Sequence, residues 1–85
     1  MATPNLKHLK DFESDLALAL ERQRKKVLEL ARRLVPGATP EDILNPQDFP
    51  KLMQNRDFQF EDGIASGMVG TLTMLRCFIK DCENP

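Results

Sequence analysis

The chain has 85 residues, 41% of them hydrophobic and 29% charged, and a formal net charge of −1. That length allows one domain, 1–85, near the size at which a single hydrophobic core is only just sufficient. Near-neutrality argues against nucleic acid or an anionic membrane as the main partner, and the absence of Trp and Tyr leaves 5 Phe for any base-stacking platform.

The first element is a long helix over about 4–35. Thr3-Pro4 offers a cap followed by proline at the first helical position. From there NLKHLKDFESDLALALERQRKKVLELARRLV runs without Gly or Pro until Pro36-Gly37 stops it. Its apolar residues follow a heptad in two series, Leu6, Glu13, Leu20, Val27, Leu34 and Leu9, Leu16, Gln23, Leu30. Glu13 and Gln23 are the polar exceptions, and Phe12, Ala17, Ala19 and Ala31 widen the stripe.

The connector, about 40–54, is punctuated by Pro40, Pro46 and Pro50. Thr39-Pro40-Glu41-Asp42 reads as a short helix start with a cap, a proline and two acids. Ile43, Leu44, Phe49, Leu52, Met53, Phe58 and Phe60 are too many apolar side chains for a free tether. The connector is therefore expected to form one or two helical turns packed on the rest of the chain.

A returning helix over about 58–81 follows, with Asp57, Glu61 and Asp62 at its front and Arg76 and Lys80 at its back, the polarity that the helix dipole favours. Gly63, Gly67 and Gly70 sit inside it, each costing about 1 kcal/mol against alanine. Helical spacing divides it into a bulky side, Ile64, Met68, Leu72, Leu75 and Ile79, and a side carrying the glycines with Met74 and Cys77. Val69, Thr73, Arg76 and Lys80 remain for water. Close approach of another backbone or an aromatic ring would offset the glycine cost by dispersion contact. That neighbour is either Phe49, Phe58 or Phe60 of the same chain or a helix of a second chain, ahead of a small-molecule pocket, for which no convergent polar groups are present.

The fold expected is all-α, an antiparallel helical hairpin able to complete a four-helix bundle as a dimer. A returning helix of about twenty residues would cover only part of the first. The N-terminal stripe Leu6, Leu9, Phe12 and Leu16 would then be exposed, as interfaces are. The expected interaction residues are these four with Gly63, Gly67 and Gly70, and the expected partner is protein, a second copy or a helical partner.

Catalytic chemistry has little to draw on. His8 is the one histidine, between Lys7 and Leu9, without a nearby second ligand for a metal. A nucleophilic set would need it to meet Ser14, Ser66 or Cys77 through the fold. DFQFEDG has neither the alternating acids nor the closing Glu of a calcium loop. The expectation is a protein with no enzyme activity, no cofactor and no metal. RQRKK at 22–26, followed by Arg32-Arg33, gives a basic face of Arg22, Lys25, Lys26, Arg32 and Arg33. It reads as a solvated face with Glu21–Lys25 and Glu29–Arg33 pairs, or as a site for an acidic partner or, weakly, for nucleic acid.

MATPNLKHLKDF lacks the apolar core of a secretory signal, and the longest uncharged run, the thirteen residues Gly63–Leu75, is too short to span a bilayer. Cys77 and Cys82 would point about 140° apart on a helix, unsuited to a bridge. A cytoplasmic location with reduced thiols and no membrane partner is expected. The layout of long helix, short connector and returning helix resembles that of the small helical-hairpin co-chaperones that hold needle subunits of bacterial type III secretion systems. That resemblance is one of shape and size, implies a co-chaperone or adaptor that cradles a partner's amphipathic helix, and transfers no residue role.

Overall fold

The computed structural model describes residues 5–84 and shows an all-α hairpin of 50 × 19 × 18 Å. Helix α1 spans Leu6–Leu34, a single turn α2 spans Pro50–Met53, and α3 spans Arg56–Glu83. Two 3-10 turns, Asp42–Leu44 and Pro46–Asp48, precede α2. The expected start at Thr3-Pro4 lies outside the described residues. Asn5 caps α1 from an extended conformation, its Oδ1 accepting from the His8 N–H at 3.3 Å.

The heptad of α1 is the hairpin seam. Leu20 and Val27 are buried, while Leu6, Leu9, Leu16, Leu30 and Leu34 are half-buried. The two polar seam positions each find a partner on α3. Gln23 Nε2 donates to the Glu61 carbonyl at 2.9 Å and to Glu61 Oε2 at 2.6 Å. Glu13 accepts from Arg76 Nε at 3.0 Å. Lys26–Glu61 at 3.1 Å and Lys10–Glu83 at 2.6 Å add ion pairs at both ends. Exposed pairs of this kind contribute little to stability, but they fix which turn of α3 lies beside which turn of α1.

Helix α3 answers with its own heptad. Phe58, Ala65, Leu72 and Ile79 are buried, and Glu61, Met68, Leu75 and Cys82 are half-buried. The inner face is thus turned from the one expected: small Ala65 lies in the seam and Ile64 lies outside its buried line. Thr73, Arg76 and Lys80 are exposed, as their spacing predicts. Asn55 caps this helix, Oδ1 accepting from the Phe58 N–H at 2.8 Å, so α3 begins ahead of the position expected from its acids alone.

The connector closes one end of the hairpin. Gly37 takes φ +83°, the left-handed region that glycine enters without steric cost, and lets the chain leave α1. Thr39 and Asp42 form a reciprocal cap: the Asp42 N–H donates to Thr39 Oγ1 at 3.2 Å and the Thr39 N–H to Asp42 Oδ2 at 2.9 Å. Leu52 and Phe58 are completely buried, and Ile43 and Phe49 pack against the core to which they belong. Leu44, Met53 and Phe60 are exposed, so the apolar clip is packed at its centre and open at its edges.

Candidate functional site

The outer side of α3 carries the surface that most needs an explanation. Phe60 is 66% exposed, Ile64 38%, Met74 74% and Phe78 49%. Gly67 and Thr71 are exposed between them. Spacings of four, three, four, three and four place Phe60, Ile64, Gly67, Thr71, Met74 and Phe78 along one stripe about 27 Å long. No charged residue occurs from Gly63 to Leu75, so nothing on this stretch of α3 prevents an apolar partner from lying flat.

Nothing among the described residues fills the glycine side. Beyond its chain neighbours and the surrounding helix backbone, a Cβ at Gly63, Gly67 or Gly70 would meet no atom of the described residues within 4 Å. This overturns the intrachain alternative: Phe58 is committed to the core, Phe49 packs against it, and Phe60 points outward on α3 itself. The three glycines lie on open surface.

The N-terminal leucine stripe was expected to be uncovered because α3 would be short. With 28 residues against 29 in α1, α3 instead reaches the far end, where Ile79 is buried and Lys10 meets Glu83. Leu6, Leu9 and Leu16 are half-buried within the hairpin seam. Phe12 alone of the four is exposed, at 54%. Its heptad position flanks the seam on the same side as Lys26 and Arg33, which line a cavity with Asp57 and Phe60. Phe12 therefore shares its side of the hairpin with the outer stripe of α3.

The basic face is partly committed to the fold. Arg32 Nε donates to the Ala38 carbonyl at 2.9 Å, and Lys26 pairs with Glu61. Arg22, Lys25 and Arg33 are exposed and make no ion pair among the described residues, and the expected Glu21–Lys25 and Glu29–Arg33 pairs are not formed. The Gln23 amide and then the Lys26 ammonium hold the Glu61 carboxyl below its usual range. Next to it, burial alone pushes the Asp62 carboxyl up.

Asp62 rims an open groove of about 690 Å³ on the opposite side of the hairpin, floored by Val27, Leu28, Ile43, Leu44 and Val69. That volume is within the range of ligand sites, but the floor is aliphatic and no buried polar side chain lacks a partner among the described residues. His8 is exposed on α1. Among the described residues no three His, Cys, Asp or Glu side chains are grouped to hold a metal. Cys77 and Cys82 are unbridged, Cys77 exposed and Cys82 half-buried. No helix of the described residues is long and apolar enough to cross a membrane.

No family model, no curated protein and no solved structure matches the chain. The co-chaperone resemblance therefore rests on layout alone. The stripe on α3 was only half legible in the sequence. Helical spacing groups Met74 with the glycines, whereas Phe60, Ile64, Thr71 and Phe78 join them only in the folded helix. The signal was present as the alternation of four and three, obscured because α3 is apolar on nearly every side.

Proposed function

We propose that this chain is a non-catalytic protein–protein interaction module that self-associates through the outer face of α3. The observation that carries this reading is the uncharged stripe from Phe60 to Phe78, exposed along most of α3. Contiguous apolar surface of this kind marks interfaces in soluble proteins. The extent of the molecule's surface supports the same reading. The hairpin has 6384 Å² of accessible surface for 9.7 kDa, against roughly 5,100 Å² for a compact monomer of that mass. Its radius of gyration is 16.3 Å, against about 12 Å for a compact chain of this length. Two hairpins sharing a face make a four-helix bundle with the second layer that one hairpin lacks.

Light scattering after size exclusion, across a hundredfold range of concentration, tests the reading. A doubled mass is expected, and refractive detection is needed because the chain has neither Trp nor Tyr. A constant monomer mass overturns self-association. The groove floored by Leu28, Ile43 and Leu44 favours a second role for the same module, that of an adaptor. It would take apolar side chains from a partner's amphipathic helix while the outer face of α3 stays paired. The Arg22 to Arg33 face contributes less to this reading, since Lys26 and Arg32 are already engaged within the fold.

A further inference from the structure

The order of residue sizes along the outer stripe of α3 is symmetric. Phe60, Ile64, Gly67, Thr71, Met74 and Phe78 read large, large, small, small, large, large. Phe60 and Phe78, Ile64 and Met74, and Gly67 and Thr71 are each equidistant from residue 69. A helix can meet a copy of itself about a two-fold axis that crosses it, running antiparallel, only if each residue suits the one at the mirrored position, because such an interface uses the same patch twice. An unrelated partner imposes no such symmetry.

Resting on the self-association proposed above, we infer that the occupant of this face is a second copy whose α3 runs antiparallel. The two-fold axis crosses at the level of Val69. Phe60 then faces Phe78 of the second copy, Ile64 faces Met74, and Gly67 faces Thr71. These are the layers of a heptad seam, with Phe60, Gly67 and Met74 as one series and Ile64, Thr71 and Phe78 as the other. The small central pair lets the two helices approach closely at the axis, and the aromatic pairs close the ends. Val69 itself points away from the stripe and does not obstruct the crossing.

Area, and charge along the centre of the stripe, are consistent with this occupant. The exposed fractions of Phe60, Ile64, Met74 and Phe78, with the small residues between them, correspond to roughly 500–600 Å² per copy. Full occlusion in a symmetric pair buries at most about twice that, near the ~1,000 Å² that a specific interface requires. Phe12, on the same side of the hairpin, adds to it. The uncharged run 63–75 brings no like charges together at the axis, and antiparallel helix dipoles attract. One layer beyond the aromatic pairs the register sets the exposed Asp57 opposite Asp81 of the second copy, a like-charge contact at each solvent-facing end.

Spin labels read the register directly. In a Cys77→Ser, Cys82→Ser background, a single label is placed by Ser66→Cys or, separately, by Lys80→Cys. Both positions are exposed and off the stripe. Antiparallel pairing about residue 69 offsets the two labels along the axis by about 9 Å at position 66 and about 33 Å at position 80. A clearly longer distance at 80 than at 66, by pulsed dipolar spectroscopy, supports the proposal. Equal distances at both positions mean parallel pairing and overturn the register, while a doubled mass still leaves a self-associating module. A doubled mass with any other pattern of distances places the contact on a different face and overturns the proposal. No dipolar coupling together with a monomer mass overturns the proposal and self-association as well.

Discussion

Helices α1 and α3 are nearly equal in length and lie side by side, yet their outer faces are opposite in kind. Away from its seam α1 carries Arg22, Lys25, Glu29, Arg32 and Arg33, all exposed. Between Asp62 and Arg76, α3 carries no charge at all and exposes Met74 and the glycines instead. A helix with one apolar stripe is satisfied by one neighbour, and α1 has it, with only Phe12 and Leu18 as large apolar side chains left exposed. A helix with two has room for another neighbour, and α3 has found only the first within its own chain. The contrast separates residues that make the hairpin from residues that the hairpin leaves available.

The sharpest way to break this distinction is to place the same insult on both faces of α3. Leu72→Asp puts a carboxylate where the side chain is 4% exposed. The cost of about 4–5 kcal/mol or more approaches the whole stability expected of so small a domain, and circular dichroism should report an unfolded chain. Met74→Glu, two residues on, changes a side chain that is 74% exposed. It should move the thermal midpoint of the isolated hairpin by no more than about 0.5 kcal/mol equivalent, while light scattering reports a monomer.

Gly67→Leu sharpens the comparison with a smaller effect of mixed sign. With no atom within 4 Å of the new Cβ, the substitution should stabilise the helix of a lone hairpin by about 0.5–1 kcal/mol. Against a second copy it overpacks the narrowest layer, at about 1–3 kcal/mol. The expected product is a monomer that melts higher than a wild-type chain diluted to monomer. If melting and mass both match wild type, the glycines have no role in contact.

The smallest effects come from two adjacent carboxylates with opposite pH behaviour. Glu61 has its pKa lowered by Gln23 and Lys26, so its contribution is present above the ordinary glutamate value of 4.5 and is lost as pH falls through the lowered one. Glu61→Gln should therefore reduce the urea midpoint at neutral pH, with the difference closing in acid. Asp62 is raised by burial from 3.8, so its charged form opposes folding at neutral pH. Asp62→Asn should raise the midpoint slightly at neutral pH and change nothing once both states are protonated.

Much of this architecture could be read directly from the residues, and the reasons for the failures are specific. The α1 heptad was visible because charged and apolar residues alternate around it, including the two positions, Glu13 and Gln23, that broke the pattern. Their partners were hidden, since Glu61 and Arg76 lie 38 and 63 residues away and meet them only once the helices are in register. The inner face of α3 was harder because apolar residues surround it, so periodicity had little contrast with which to choose Ala65 over Ile64. The Thr39–Asp42 cap was legible from local spacing. The Asn55 cap lies ahead of the acids that mark the front of α3, and at the other end no Gly marks the stop at Glu83, whose turn is the one that covers the N-terminal leucines.

The fully buried residues Leu52 and Phe58 also give the hairpin a closed end and an open one. Most of the core lies between Leu20 and Ala65, near the connector, and beyond it Leu72 and Ile79 are the buried side chains of α3. Such a molecule opens like a zipper, with fluctuations starting at the end remote from the connector, where buried contacts are fewest, and dying out toward it. Phe78 lies in the part that frays and Phe60 in the part that does not. An antiparallel pair therefore sets the loose end of each chain against the firm end of the other, so that each hairpin is clasped by its copy where it would open first.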